Sequence, residues 1–181
     1  MKKVIFGILM VLLCSTFVSY AAELKVGDKL GDFKLKAALD NKEYSLSSPE
    51  FAGRVVYITF AHASAADDNN NVTEALLANK DVDRLKKENK YVGLGIGNQK
   101  DSWQPDAAIK FIAKRKQKES GSMILLDPDF TYGSVVGAPH KTVTSILVDK
   151  ERVIRYIYKG KTPAENIPKI IDLIKKYSEA K

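Results

Sequence analysis

The sequence predicts an α/β fold: one mixed β-sheet with helices on both faces. Three observations lead there. Apolar strand-like segments at 54–60, 91–97 and 122–126 alternate with segments whose apolar residues recur at helical spacing. The segment Arg54-Val55-Val56-Tyr57-Ile58-Thr59-Phe60 is nearly continuous in β-branched and aromatic residues, as expected of a strand buried on both faces. Segments 143–148 and 152–158 are joined only by Asp149-Lys150-Glu151, a connection so short that the pair must be antiparallel.

Residues 1–21 read as a cleavable secretory signal. Lys2 and Lys3 precede an apolar run from Val4 to Val18, and Ser19-Tyr20-Ala21 offers small residues on both sides of Tyr20 for a cut after Ala21. The run is shorter than the about 20 apolar residues of a membrane-spanning helix, so no stable membrane insertion is expected once it is removed. The short basic start and compact apolar core predict export to the periplasm. The one cysteine, Cys14, lies within this signal. Leu13 stands before it, where a lipid-modified cysteine usually follows a small residue, so Cys14 reads as a small hydrophobe. The exported part, 22–181, then has no thiol and no disulfide. Its roughly 160 residues are enough for a single domain with its own core.

The whole chain has 29 Lys and Arg against 22 Asp and Glu, a net charge of +7. The basic residues cluster on expected helix faces, as in Lys114-Arg115-Lys116-Gln117-Lys118, without interleaved aromatics. That pattern and export argue against a nucleic-acid partner. It suits a solvated, mildly cationic surface with weak attraction to anionic lipid or polymer.

Along the exported chain, 32–36 and 42–46 are expected as two short strands turning at Asp40-Asn41. The strand 54–60 leads into a polar loop, 61–70. A helix is expected from Asn71, with Asn71 as its cap and Glu74 reaching back in a capping box. Leu76, Leu77, Val82 and Leu85 give its apolar stripe, broken near 79–81. The strand 91–97 contains Gly93, Gly95 and Gly97. This is not the dinucleotide spacing, and it predicts close helix packing rather than a cofactor loop, so no cofactor is expected. Pro105 opens the next helix, with Ile109, Ile112 and Ala113 inward. Trp103 and Phe130-Thr131-Tyr132 are expected to pack. The last helix carries Ile167, Ile170, Ile171, Ile174 and Tyr177, and Pro168 sets its start near Asn166.

Three stretches carry a family resemblance. The strand ending at Phe60 resembles the one that leads into a redoxin active site. Met123-Ile124-Leu125-Leu126-Asp127-Pro128-Asp129 resembles the redoxin "LLDPDG" strand end, and 145–154 resembles the "TFLIDKDGKI" hairpin. The ordered set resembles the thioredoxin-like fold of the peroxiredoxin and TlpA-type redoxin group, with an N-terminal β-hairpin extension. Within that group it is similar to the YtfJ-like periplasmic proteins, which lack redox cysteines. Where the group carries its reactive thiols this chain has Ala61-His62-Ala63-Ser64-Ala65-Ala66-Asp67-Asp68. Where some members carry a cis-proline it has Val143, with Pro139 four residues earlier. Disulfide exchange needs a thiolate, so thiol chemistry by the exported chain is not expected.

The candidate binding residues are His62, Ser64, Asp67, Asp68 and His140. His62 is placed at the end of the central strand, where α/β sheets hold ligands. It suits metal binding, general-base chemistry or pH sensing, or else a hydrogen bond that fixes its own turn. Ser64 reads as a loop residue, or as a nucleophile if His62 and Asp67 orient it. Asp67 and Asp68 suit the positive end of the following helix, or a divalent cation with His62. His140 follows Pro139, and a His62–His140 pair suits copper or zinc. The leading expectation is a non-catalytic protein binding a periplasmic protein or small ligand through the His62 loop; the alternatives are copper or zinc binding through His62 and its neighbours, or a redoxin-type oxidoreductase relative whose activity depends on a partner. No metal site is assigned.

Overall fold

The structure, a computed structural model, describes residues 23–100 and 102–180. The signal reading and Cys14 lie outside the described residues. Seven strands form one sheet: β1 (Leu35–Ala37), β2 (Glu43–Tyr44), β3 (Val55–His62), β4 (Tyr91–Asn98), β5 (Met123–Asp127), β6 (Val143–Val148) and β7 (Ile154–Lys159). Their order across the sheet is β2-β1-β5-β4-β3-β6-β7. The helices are α1 (Asn70–Ala78), α2 (Lys80–Lys87), α3 (Asp106–Ser120), α4 (Thr131–Val135) and α5 (Ile167–Glu179).

The apolar strand expected at 54–60 is central, parallel to β4 and antiparallel to β6. Val56, Ile58 and Phe60 point into one core with Leu94, Ile96, Leu125 and Ile146. Val55 and Tyr57 point to the other face, against Val72, Leu85, Ile170 and Ile174. The helices α1, α2, α3 and α5 pack on this second face. The first is covered by α4 and the N-terminal loops through Leu30, Phe33, Leu46, Phe51, Tyr132 and Val136.

The β6–β7 pair is antiparallel, as its short connection requires. The β1–β2 hairpin extends the sheet by pairing antiparallel with β5. Asn41 turns that hairpin with a φ of 60°, a conformation that asparagine tolerates better than most residues. Helix α3 starts directly after Pro105 and ends at Gly121, whose φ of 61° closes it. A short turn at Ala164–Asn166 precedes α5, which accommodates Pro168 in its first turn. All described peptide bonds are trans, including that of Pro139.

Three expectations are corrected. The first helix begins at Asn70, and neither Asn71 nor Glu74 caps it. Its flanking residue, Asn69, is drawn inward: Nδ2 donates to Ser145 Oγ (2.9 Å) and Oδ1 accepts from the Thr162 amide (2.8 Å). Tyr57 Oη also donates to Ser145 Oγ (2.9 Å), which leaves the Ser145 proton for Thr162 Oγ1 (3.0 Å). This buried network ties β3, β6, the start of α1 and the approach to α5. Burial pushes the Tyr57 phenol up to about 12, so it remains a donor. Second, Trp103 does not pack; it is 87% exposed. Third, the glycines of β4 do not receive a close helix. Their nearest neighbours lie in the sheet or at its edge: a Cβ on Gly93 would meet Ser122, one on Gly95 would meet Ile124 at 3.3 Å, and one on Gly97 would meet Leu126 at 3.4 Å.

Asn69→Ala leaves the Thr162 amide without its acceptor and removes one donor from Ser145. Each buried orphan costs about 1–3 kcal/mol. Urea unfolding should show a loss of about 2–3 kcal/mol with an unchanged denaturant slope.

Candidate functional site

His62 ends β3 and is buried, only 3% exposed. Its Nδ1 accepts the Ser64 amide (3.1 Å) and lies 2.7 Å from Ser64 Oγ. With Nδ1 an acceptor, Nε2 carries the proton and donates to the Lys100 carbonyl (3.1 Å). This tautomer follows from the hydrogen-bond network. Both ring nitrogens are therefore engaged: one caps the Ala63–Ala65 turn and the other holds the loop after β4. Metal ligation or proton abstraction by His62 requires one of these bonds to open.

The other candidates are only partly brought together. Ser64 is exposed beside His62. Asp67 turns away from both, accepting from Lys116 Nζ (2.6 Å) and Asn70 Nδ2 (3.2 Å). The hydrogen bond from Lys116 holds the Asp67 carboxyl below the usual aspartate range. His62, Ser64 and Asp67 thus form no oriented relay. Asp68 is half-buried and its amide donates to the Ala65 carbonyl (3.2 Å). His140 is exposed and stacks on Phe130 (4.4 Å between centroids), which packs edge-on against Phe60 (5.8 Å). Among the described residues, no group of three or more His, Cys, Asp and Glu is placed to hold a metal.

The sheet register adds two residues that the sequence reading missed. His62 stands opposite Asn98, and Asn98 opposite Asp127, in one buried polar row at the strand ends. Asn98 Oδ1 accepts the Lys100 amide (2.9 Å), so Asn98 and His62 hold the same loop. Asn98 Nδ2 is buried without a partner among the described residues. Asp127 accepts the amides of Thr131 and Gly133 (both 2.9 Å) and fixes α4. Burial raises its pKa, against the opposing effect of these amides. A polar residue closing an apolar strand was the available signal for both.

On the opposite face, beneath the 61–70 loop, lies a cavity of about 400 Å³. Its floor is Gly93, Gly95 and Gly97, and its walls include Leu76, Val82, Ile109, Ile112, Ile124 and Leu126. It exists because β4 contributes no side chain here, while α3 meets β5 through a small cluster built on Ile109, Ala113 and Leu126. Lysines brace both ends. Lys116 joins α3 to Asp67 and Asn70, and Lys86 joins α2 to the Ser120 and Gly121 carbonyls (3.4 and 3.2 Å). Several polar groups line it. Ser122 Oγ and the Tyr91 hydroxyl stand 2.5 and 3.7 Å from where a Gly93 Cβ would be. Gln104 Oε1 is buried without a partner among the described residues.

The Redoxin family profile matches residues 25–174, and the chain belongs to the redoxin family. The fold agrees with solved structures. A candidate protein disulfide isomerase from Bacteroides thetaiotaomicron matches with a TM-score of 0.62 at 21% identity, over 87% of this chain and 92% of that one. A candidate thiol:disulfide interchange protein DsbE from Chlorobium tepidum gives 0.61 at 18%, over 86% and 99%. A secreted thiol-disulfide isomerase from Corynebacterium glutamicum gives 0.61 at 17%, over 83% and 86%. No curated protein matches. The described thioredoxin-like fold therefore stands without a cysteine in the matched region.

His62→Ala should remove the Ser64 amide's acceptor and the Lys100 carbonyl's donor, costing about 1–3 kcal/mol. His62→Asn keeps an acceptor near the position of Nδ1 and should recover part of that loss. Thermal unfolding of the two variants measures the difference.

Proposed function

We propose that this redoxin-family chain is a non-catalytic, exported binding protein that takes a small, largely apolar molecule into the cavity beneath its His62 loop. The cavity is the observation that carries the reading. Its size lies within the roughly 300–1,000 Å³ usual for small-molecule sites, with mostly apolar walls and a few converging polar groups. Protein interiors are otherwise close-packed, with few voids larger than a water molecule. Ser122 Oγ, the Tyr91 hydroxyl and Gln104 Oε1 offer hydrogen bonds to a hydroxyl or amide on the ligand.

In this reading the thiol-bearing loop of the family has become a roof. His62 and Ser64 set its shape, Asp67 latches it to α3 through Lys116, and the Asp68 amide closes its turn onto the Ala65 carbonyl. His140, stacked on Phe130, borders the other face of the same strand ends. The similarity of this loop to cysteine-free YtfJ-like proteins supports the loss of redox chemistry, and the signal-like residues 1–21 support a periplasmic location. No described helix is long and apolar enough to cross a membrane.

The test is titration of the purified exported chain with N-phenyl-1-naphthylamine, a neutral apolar dye. We expect saturable, one-to-one binding. Gly97→Val should weaken it at least ~10-fold by filling the floor, because the added Cβ meets Leu126 at 3.4 Å and the Leu125 carbonyl oxygen at 3.8 Å, both ordinary contact distances. Thermal stability of this variant should be equal or higher. Absence of saturable binding, or equal binding by the variant, would reject the cavity as the site. Efficient turnover of a disulfide or hydroperoxide without added thiol protein would reject the non-catalytic assignment.

A further inference from the structure

The outward face of α3 serves neither the core nor the cavity. Ile109, Ile112, Ala113 and Lys116 take the inward side. At 100° per residue, Ala107, Lys110, Phe111, Lys114 and Lys118 form one stripe on the opposite side. All five are exposed. Phe111 is 69% exposed, and Trp103, in the turn leading into the helix, is 87% exposed. Lys110, Lys114 and Lys118 make no ion pair among the described residues, although many other surface lysines and arginines do. The acidic residues of α3, Asp106 and Glu119, lie off the stripe, and Glu119 pairs with Arg115 at 3.6 Å.

We propose that this face of α3, with Trp103 at its head, docks reversibly on an anionic phospholipid surface. A row of exposed lysines with no ion pair among the described residues, beside an exposed phenylalanine, matches the chemistry of that surface. The ammonium groups reach lipid phosphates while their alkyl stems lie along the helix, which lets the ring enter the headgroup boundary. Tryptophan is favoured at the same depth because its ring is largely apolar and carries one N–H. A stable protein interface would favour a broader apolar centre depleted of lysine. This contact is peripheral, with the helix lying along the surface, and it does not depend on what the cavity holds.

Trp103 is the only tryptophan in the chain, so its emission reports docking directly. The exported protein is titrated with phosphatidylglycerol/phosphatidylcholine vesicles and with pure phosphatidylcholine vesicles. The expected result is a shift of emission to shorter wavelength and co-sedimentation with the anionic vesicles only, both weakening with added salt. The triple variant K110E/K114E/K118E should lose about 100-fold in affinity, the summed effect of three basic residues near an anionic surface. K34E/K161E/K169E changes the net charge equally, at three other exposed lysines, and should lose far less. Phe111→Ser should weaken binding without abolishing the salt dependence. The proposal is overturned by an unshifted Trp103, by equal binding to neutral vesicles, or by equal losses in the two triple variants. It is also overturned if soluble poly-glutamate shifts Trp103 as strongly as the vesicles do, which would assign the face to an acidic polymer or protein.

Discussion

The structure depends on β3 being buried on both faces and paired on both edges. A strand in that position has nowhere to place a charged side chain, and from Val55 to Phe60 it carries none. Its even-numbered residues fill one core and its odd-numbered residues the other. Because the side-chain period of a strand is two, this pattern fixes the register, and the register fixes what stands at the strand ends. His62, Asn98 and Asp127 come into line for that reason alone. His62 anchors the turn after β3 and, together with Asn98, the loop after β4, while Asp127 anchors the start of α4.

The second constraint is an absence of side chains. Three glycines alternate along β4 on the face that receives most of the helices. A layer of helices packs on a sheet through side chains from both sides, and here β4 supplies none to that face from Gly93 to Gly97. Helices α1 and α2 seat themselves over β3 and α5, while α3 seats itself over β5. The strip between them stays open. The lysine contacts at either end hold this spacing, so the cavity is built into the arrangement of the helices.

The two ends of the scaffold thus separate two properties. At the strand ends, His62 is satisfied on both ring nitrogens, which fixes the turn. Beneath it lies a largely apolar chamber whose polar lining includes Tyr91, Gln104 and Ser122. The redoxin fold is built here without a cysteine between residues 25 and 174.

Much of the fold was legible in the chain. The apolar run of β3, the short β6–β7 connection, Pro105 before α3, the break at Asn79 and the delayed start of α5 each follow from local chemistry. Asp40-Asn41 declared its turn for the same reason. The site was less legible. His62 was placed at the strand end from sequence, but its engagement on both nitrogens depends on Lys100, far along the chain. Asn69 abandons the helix start because Ser145 and Thr162 arrive from distant segments. Gly93, Gly95 and Gly97 suit close helix packing and an open chamber equally well as a pattern. Only the seating of α1, α2 and α3 decided between them. By itself the sequence determined the elements, their order and the absence of cysteine from the matched region, since these rest on residue type, periodicity and neighbours in the chain. The tertiary structure alone decided which polar atoms are satisfied and where empty space lies, because both are set by residues brought together from far apart.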